Sequence, residues 1–269
     1  MQSELETLKS RLRATWTAGD FGEIAKAYTK GAEEFVERLN VKPSMKVLDV
    51  ACGSGNLTIP AARTGADVTG MDLAPEMVLQ ARQNAEREGL KARFEEGDVE
   101  QLQYNDESFD LVATMFGAMF APRPDVTTTE LLRVCKVGGR IVMANWTPTG
   151  FIGQMFKANA SFVPLPAGMS SPVLWGVEQT VRERFGSRVS SLETKRQNII
   201  FSFEIPPVEV VEHFRQYYGP TQKAFGALDE KGRDALRKAL QNLWTENNRK
   251  TDGTTEVESE YLEVIAVKA

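Results

Sequence analysis

Apolar residues first recur at helical spacing. Leu5, Leu8, Leu12 and Trp16 fall on one face of a helix predicted over residues 3–17. A second helix is predicted over 21–39, with Ile24, Ala27, Tyr28, Phe35 and Val36 on its apolar side and Asn40 and Pro43 as stop signals. From residue 45 the period changes. Short, nearly continuous apolar runs now alternate with helical ones. MKVLDVACGSG reads as a strand ending in an acid and glycines, NLTIPAARTG as a helix, and ADVTGMDL as a second strand ending in an acid. APEMVLQARQNAEREG follows as a helix stopped by Gly89. KARFEEGD and SFDLVATMF are the third and fourth strands, DVTTTELLRVCKVGG a helix and RIVMANW the fifth strand.

Strands that alternate with helices imply right-handed crossovers and a mostly parallel sheet. Apolar runs without alternation suit strands covered on both faces. After Trp146 the rhythm loosens into a Gly-, Pro- and aromatic-rich stretch, with one short helix predicted over 151–158 and then a long irregular excursion. Helices at 177–185, 207–218 and 230–244 and strands at 192–204 and the C-terminus complete seven strands. The expected organisation is an α/β chain with a helical cap over 1–40 and one domain over 41–269. Within that domain the densest motifs lie at 45–146, and a lid or substrate insertion spans about 147–188.

Charge narrows the partners. The chain has 32 Lys and Arg against 37 Asp and Glu, a net charge of -5, and no basic run of the kind that neutralises phosphates. The densest basic stretch, from Lys231 to Lys238, includes Asp234 and reads as a solvated helix face. No apolar run approaches the roughly 20 residues that span a bilayer, and the amphipathic N-terminus lacks the apolar core of a signal peptide. Cys52 and Cys135 have no metal-ligand spacing. These features predict a small-molecule partner, no nucleic acid, no membrane, no metal, a monomer or homodimer, and a reducing cytoplasmic setting.

The chemistry concentrates in VLDVACGSG, residues 47–55. A glycine turn between strand and helix lets a ligand approach the backbone, and the helix N-terminus offers free N–H groups. A dinucleotide fingerprint wants a third glycine where this chain has Thr58. Asp72 ends the second strand, where a carboxylate accepts from ribose hydroxyls or caps the following helix. Gly97-Asp98-Val99 follows the third strand, and Asp98 is a ligand contact or a turn residue.

Residues 45–146 resemble the class I S-adenosylmethionine (SAM)-dependent methyltransferases, whose first motif runs hydrophobic-L-D-x-G/A-C-G-x-G. The finer likeness, to small-molecule C- and O-methyltransferases of the ubiquinone/menaquinone-biosynthesis type, extends little beyond residue 150. The resemblance implies a Rossmann-like seven-stranded sheet with helices on both faces, and SAM as cofactor with S-adenosylhomocysteine (SAH) as product. It implies that Asp49 helps to hold the ammonium group of SAM, that Ala51, Gly53 and Gly55 form the close-approach loop, and that Asp72 takes the ribose with Leu73 and Met77 beside it. It further implies that Asp98 and Val99 meet the adenine, and that backbone near Met115 faces the methionine moiety. Phe116, Met119 and Phe120 either wall the active site or pack the core. Gly138 and Gly139 look structural.

The methyl group of SAM is already electrophilic, so alignment alone supplies several kcal/mol, up to about 7–11 in ideal cases. No base is evident. His213, the only histidine, falls on an amphipathic helix as a surface or packing residue. Acceptor contacts are expected from Trp16, Phe21 and Tyr28 of the cap, from Phe116 and Phe120, and from Trp146, Phe151, Met155, Phe156, Phe162 and Trp175 after the fifth strand. Such a lining suits an apolar or aromatic small molecule. The alternatives are a nicotinamide-dependent oxidoreductase on the same sheet, a non-catalytic SAM-binding protein, and a protein or RNA methyltransferase.

Overall fold

A computed structural model describes residues 2–269, with side chains from Glu4 onward; Met1 of the predicted cap lies outside the described residues. The chain opens with α1 (Gln2–Trp16), α2 (Phe21–Ala25) and α3 (Thr29–Leu39). The sheet then builds through β1 (Lys46–Val50), α4 (Thr58–Arg63), β2 (Asp67–Asp72), α5 (Pro75–Arg87), β3 (Arg93–Glu96), β4 (Phe109–Met115), α6 (Pro124–Val134) and β5 (Cys135–Trp146). Beyond it come α7 (Phe151–Phe162), α8 (Glu178–Phe185), β6 (Val189–Phe203), α9 (Pro207–Tyr217), α10 (Gly219–Gly226), α11 (Glu230–Asn247) and β7 (Thr255–Lys268).

The seven strands form one sheet in the order β3-β2-β1-β4-β5-β7-β6. The first five strands pair in parallel; β7 runs antiparallel between β5 and β6. Helices cover both faces, so β1 and β4 are buried almost end to end, as their unbroken apolar runs required. Order reverses between β1 and β4, and a crevice opens there at the carboxyl ends of the strands, the usual binding position in an open α/β sheet. No helix among the described residues is long and apolar enough to cross a membrane.

Three local expectations change. The helix expected over 21–39 is broken by a single 3-10 turn at Lys26–Tyr28. Tyr28 leaves helical geometry there (φ -131°) and packs its ring against Phe116 and Phe201. The helix expected through Gly139 stops at Val134, and Cys135–Gly139 open β5 instead. Cys135 is extended, fully buried and paired with Phe109, and Gly138 at φ +72° takes up an irregularity in the β4–β5 register. Finally, α10 forms between the helices expected over 207–218 and 230–244, where no element was expected. Proline suits the first turn of a helix, and a side chain on Gly219 would overlap the Thr15 carbonyl oxygen, so close packing on the end of α1 demands glycine.

That contact matters for the site. Gly19, at φ +84°, bridges Tyr218, and the Asp20 N–H donates to the Tyr217 carbonyl at 3.0 Å. The junction of α1 and α2 is thereby fastened to the junction of α9 and α10, and both lie over the crevice.

Candidate functional site

The floor of the crevice comes from the turns after β1 and β4. Ala51 adopts left-handed backbone geometry (φ +56°), which a residue with a Cβ rarely does. The turn after β4 faces it. Phe116 is also left-handed (φ +61°), and a Cβ on Gly117 would stand 2.6 Å from both the Ala51 Cβ and its carbonyl oxygen. The two strained turns therefore nest, and only glycine at 117 permits it. Gly53 (φ +53°) continues the loop with open space above it apart from the Phe21 ring.

Carboxylates frame this floor. Asp49 is 1 % exposed, and its Oδ2 accepts from the Thr58 hydroxyl at 2.6 Å. Burial pushes the Asp49 carboxyl up to about 7, against the lowering effect of the Thr58 hydrogen bonds and with a further rise from Asp72. Thr58, which the sequence marks only as a missing glycine, thus orients the acid of the first motif. Asp72 accepts from the Gly53 N–H and the Ala74 N–H, each at 2.9 Å, and ties the glycine loop to the end of β2. Burial raises its carboxyl above the ordinary range, opposed by these backbone donors. The N-cap of α5 is Ala74, so Asp72 is not the cap of that helix.

Asp98 lies one strand further on. Its Oδ1 accepts from the Glu100 N–H at 2.8 Å, and its Oδ2 meets the Lys9 ammonium at 2.5 Å. Lys9 also lies 2.7 Å from Oε2 of the fully buried Glu100 carboxylate, and Arg123 Nε meets the same oxygen at 2.9 Å. An Arg13–Glu96 ion pair and a Thr17–Glu76 hydrogen bond extend the attachment of α1 along the edge of the crevice.

The opposite wall is aromatic. Phe116 stacks on Trp146 with ring centres 3.5 Å apart and planes 7° apart. Tyr28 and Phe201 lie 5.1 Å apart beside them, and Trp16 sits 4.9 Å from Phe120. The cleft between the carboxylate and aromatic sides holds about 1280 Å³ including its open mouth.

Most residues singled out in the sequence meet here. Asp49, Ala51, Gly53, Asp72, Leu73 and Met77 line the cleft, as do Asp98, Val99 and Met115. From the aromatic set, Trp16, Phe21, Tyr28, Phe116, Phe120, Trp146 and Met155 line it too. Gly55 does not. It packs behind the loop against Ile59 and Ala81, and its φ of +94° makes it a turn residue. Phe151 also turns away, its ring 4.5 Å from Trp244 in the core beneath α11. Trp175 is buried under the Arg184 guanidinium, Phe156 packs behind Phe120, and Phe162 is outside the lining. His213 packs between Phe203 and Tyr217, as a helix packing residue would.

Sequence reasoning missed Lys9, Phe201, Phe214 and Tyr218, all of which line the cleft. Inward alternation at the end of β6 signals Phe201, and helical spacing along α9 places Phe214 and Tyr218 on one face. Nothing local marks Lys9.

The chain matches the family described as a methyltransferase domain over residues 47–139. An uncharacterized protein of Mycobacterium tuberculosis is 37 % identical over 228 residues, covering 84 % of this chain and 83 % of its own. A ubiquinone/menaquinone biosynthesis C-methyltransferase of Bdellovibrio bacteriovorus is 35 % identical over 138 residues, 46 % of this chain and 58 % of that one. The fold resembles that of the YcgJ protein of Bacillus subtilis (TM-score 0.60, 15 % identity, 88 % of this chain and 97 % of that chain). The chain belongs to the class I SAM-dependent methyltransferases; it is an enzyme of that class, and SAM is its cofactor. That membership sets aside the nicotinamide reading of the glycine loop.

The residues present fit such a donor. Three carboxylates line the cleft, and Lys9, the only basic residue of the lining among the described residues, is already paired, which suits a cationic sulfonium and opposes a diphosphate. The open space above Gly53 is a cradle that a Cβ would partly fill.

Proposed function

We propose that this enzyme transfers the methyl group of SAM to a small apolar or aromatic acceptor. The observation that carries the reading is the aromatic wall facing the carboxylate side of the cleft, with Phe116 stacked on Trp146. SAM, when bound, supplies a methyl group already activated by its sulfonium. The chain's own part is to hold donor and acceptor in line and to exclude water.

In this reading Asp49 holds the ammonium end of the donor, oriented by Thr58. Ala51 and Gly53 let the ligand approach the backbone, while Asp72 accepts from the ribose hydroxyls between Leu73 and Met77. Asp98 and Val99 meet the adenine, and the backbone at Met115 faces the methionine moiety. Tyr28, Phe116, Phe120, Trp146 and Met155 bound the acceptor. Residues 1–40 act as a cap over the domain formed by 41–269, with the insertion over about 147–188 contributing α7 to the acceptor side. The two cysteines, both free and buried, suit a reducing cytoplasm.

The test is turnover. Purified protein incubated with SAM and a panel of neutral aromatic and isoprenoid-quinol acceptors should release SAH with at least one of them. Turnover confined to a protein or RNA substrate would overturn the reading.

A further inference from the structure

Two phenols line the cleft with hydroxyls that no hydrogen bond among the described residues accounts for. Tyr28 ends the 3-10 turn of the cap, and Tyr218 stands at the junction of α9 and α10. Each is 5 % exposed, and both line the cleft. Neither hydroxyl has a hydrogen-bond partner among the described residues, and neither is among the fully enclosed polar atoms, so both open on the cavity rather than being sealed in the core. A buried hydroxyl is ordinarily paired with protein or ligand. Here the rings are held firmly, Tyr28 against Phe116 and Phe201, and Tyr218 against Trp16 and Phe214.

Burial raises both phenols well above the usual tyrosine range, and the Tyr28 phenol raises that of Tyr218 further. Both line the one cleft, and both stay protonated at any physiological pH. They are hydrogen-bond donors, not bases. The remaining lining beside their ring partners is largely apolar, from Phe201, Phe214 and Ile152 with the Trp146 indole. The charged lining is Asp49, Asp72 and Asp98 with Lys9, and Lys9 is occupied by Asp98 and Glu100.

We propose that Tyr28 and Tyr218 are the polar anchor of the acceptor site, donating to an oxygen on an otherwise apolar, uncharged ring system such as a phenol or enol. A carboxylate or phosphate acceptor finds no free cation in the described lining, so its charge would be buried unpaired, which is a specificity filter against anions. This inference rests on the small-molecule reading above, and it adds the two residues that fix the acceptor and the charge the acceptor carries.

The experiment uses the full chain saturated with SAH and titrated with 2-naphthol, naphthalene and 2-naphthoate, with tryptophan fluorescence as the readout because Trp16 and Trp146 line the cleft. We expect 2-naphthol to bind more tightly than naphthalene, and 2-naphthoate to bind at least tenfold more weakly than 2-naphthol. Tyr28→Phe and Tyr218→Phe should each weaken 2-naphthol by about three- to tenfold, the worth of a neutral hydrogen bond, while naphthalene and SAH affinities stay as in the wild type. Unchanged 2-naphthol affinity in both variants, equal or better binding of 2-naphthoate, or no binding of 2-naphthol to the SAH-loaded wild type would each overturn the inference. The comparison of the three ring compounds needs no variant, so it stands if a Phe substitution unfolds the protein. Failure of the wild type to bind SAH at all would instead overturn the donor assignment, and this inference with it.

Discussion

The Lys9 ammonium lies 2.5 Å from Asp98 and 2.7 Å from Glu100, so a side chain of the first helix is fixed to the loop after β3 across 89 residues of sequence. Glu100 is fully buried and depends on Lys9 and Arg123 for its charge balance. Together with Thr17–Glu76 and Arg13–Glu96, this pairing holds α1 over the carboxylate side of the cleft.

Lys9→Met keeps the apolar stem and removes the charge. It should cost about 1.5–3 kcal/mol of stability, the range for a hydrogen bond to a charged group, and accelerate SAH release several-fold. Stopped-flow dissociation and denaturant unfolding check both effects. Wild-type release in a destabilised variant would show that α1 does not gate the cleft.

Asp49 gives the site a pH dependence. Its carboxyl is raised to about 7 in the folded protein, above the roughly 3.9 of an unfolded chain. The stability this group contributes is therefore fully present below about pH 4 and is lost as pH rises through about 7. A cationic ligand favours the ionised form, so donor affinity should run the other way and rise through the same window. Between about pH 6 and about pH 7.5 the SAH dissociation constant should fall by up to about tenfold, and Asp49→Asn should flatten the profile. Calorimetric titrations at the two pH values decide it, and a wild-type affinity independent of pH would contradict the role of Asp49.

The nested turns make a steric prediction. Gly117→Ala places a methyl group 2.6 Å from Ala51, and relief of that overlap must distort the donor loop. We expect a loss of about 1–3 kcal/mol and SAH binding weakened by more than tenfold. Gly226→Ala, where the new methyl meets nothing within 4 Å, is the control and should be neutral or mildly stabilising. Thermal unfolding and titration of the two variants make the comparison.

The sequence carried the sheet and the carboxylate side of the cleft because both are written locally. Strand-end acids and glycines occur at fixed places in a repeating unit, so Asp49, Gly53, Asp72 and Asp98 were recognisable before their neighbours were known. Gly55 shared the motif yet serves the turn, since the pattern does not distinguish which glycine faces the cleft. The aromatic side of the cleft is assembled from distant segments. Tyr28, Phe201 and Tyr218 come together only through the sheet order and the docking of α10 on α1, and Phe151 resembled Met155 until helix phase turned it toward Trp244. Lys9 was hidden because a lysine on an amphipathic helix ordinarily faces solvent.

Asp72 is the residue on which the donor assignment turns, and calorimetric titration of SAM into the wild type and into a folded Asp72→Ala variant tests it most directly, with NAD as the comparison ligand. The wild type should bind SAM and not NAD, and the variant, which melts cooperatively, should bind SAM more than tenfold more weakly. Wild-type affinity in the folded variant, or tight binding of NAD with none of SAM, would contradict it.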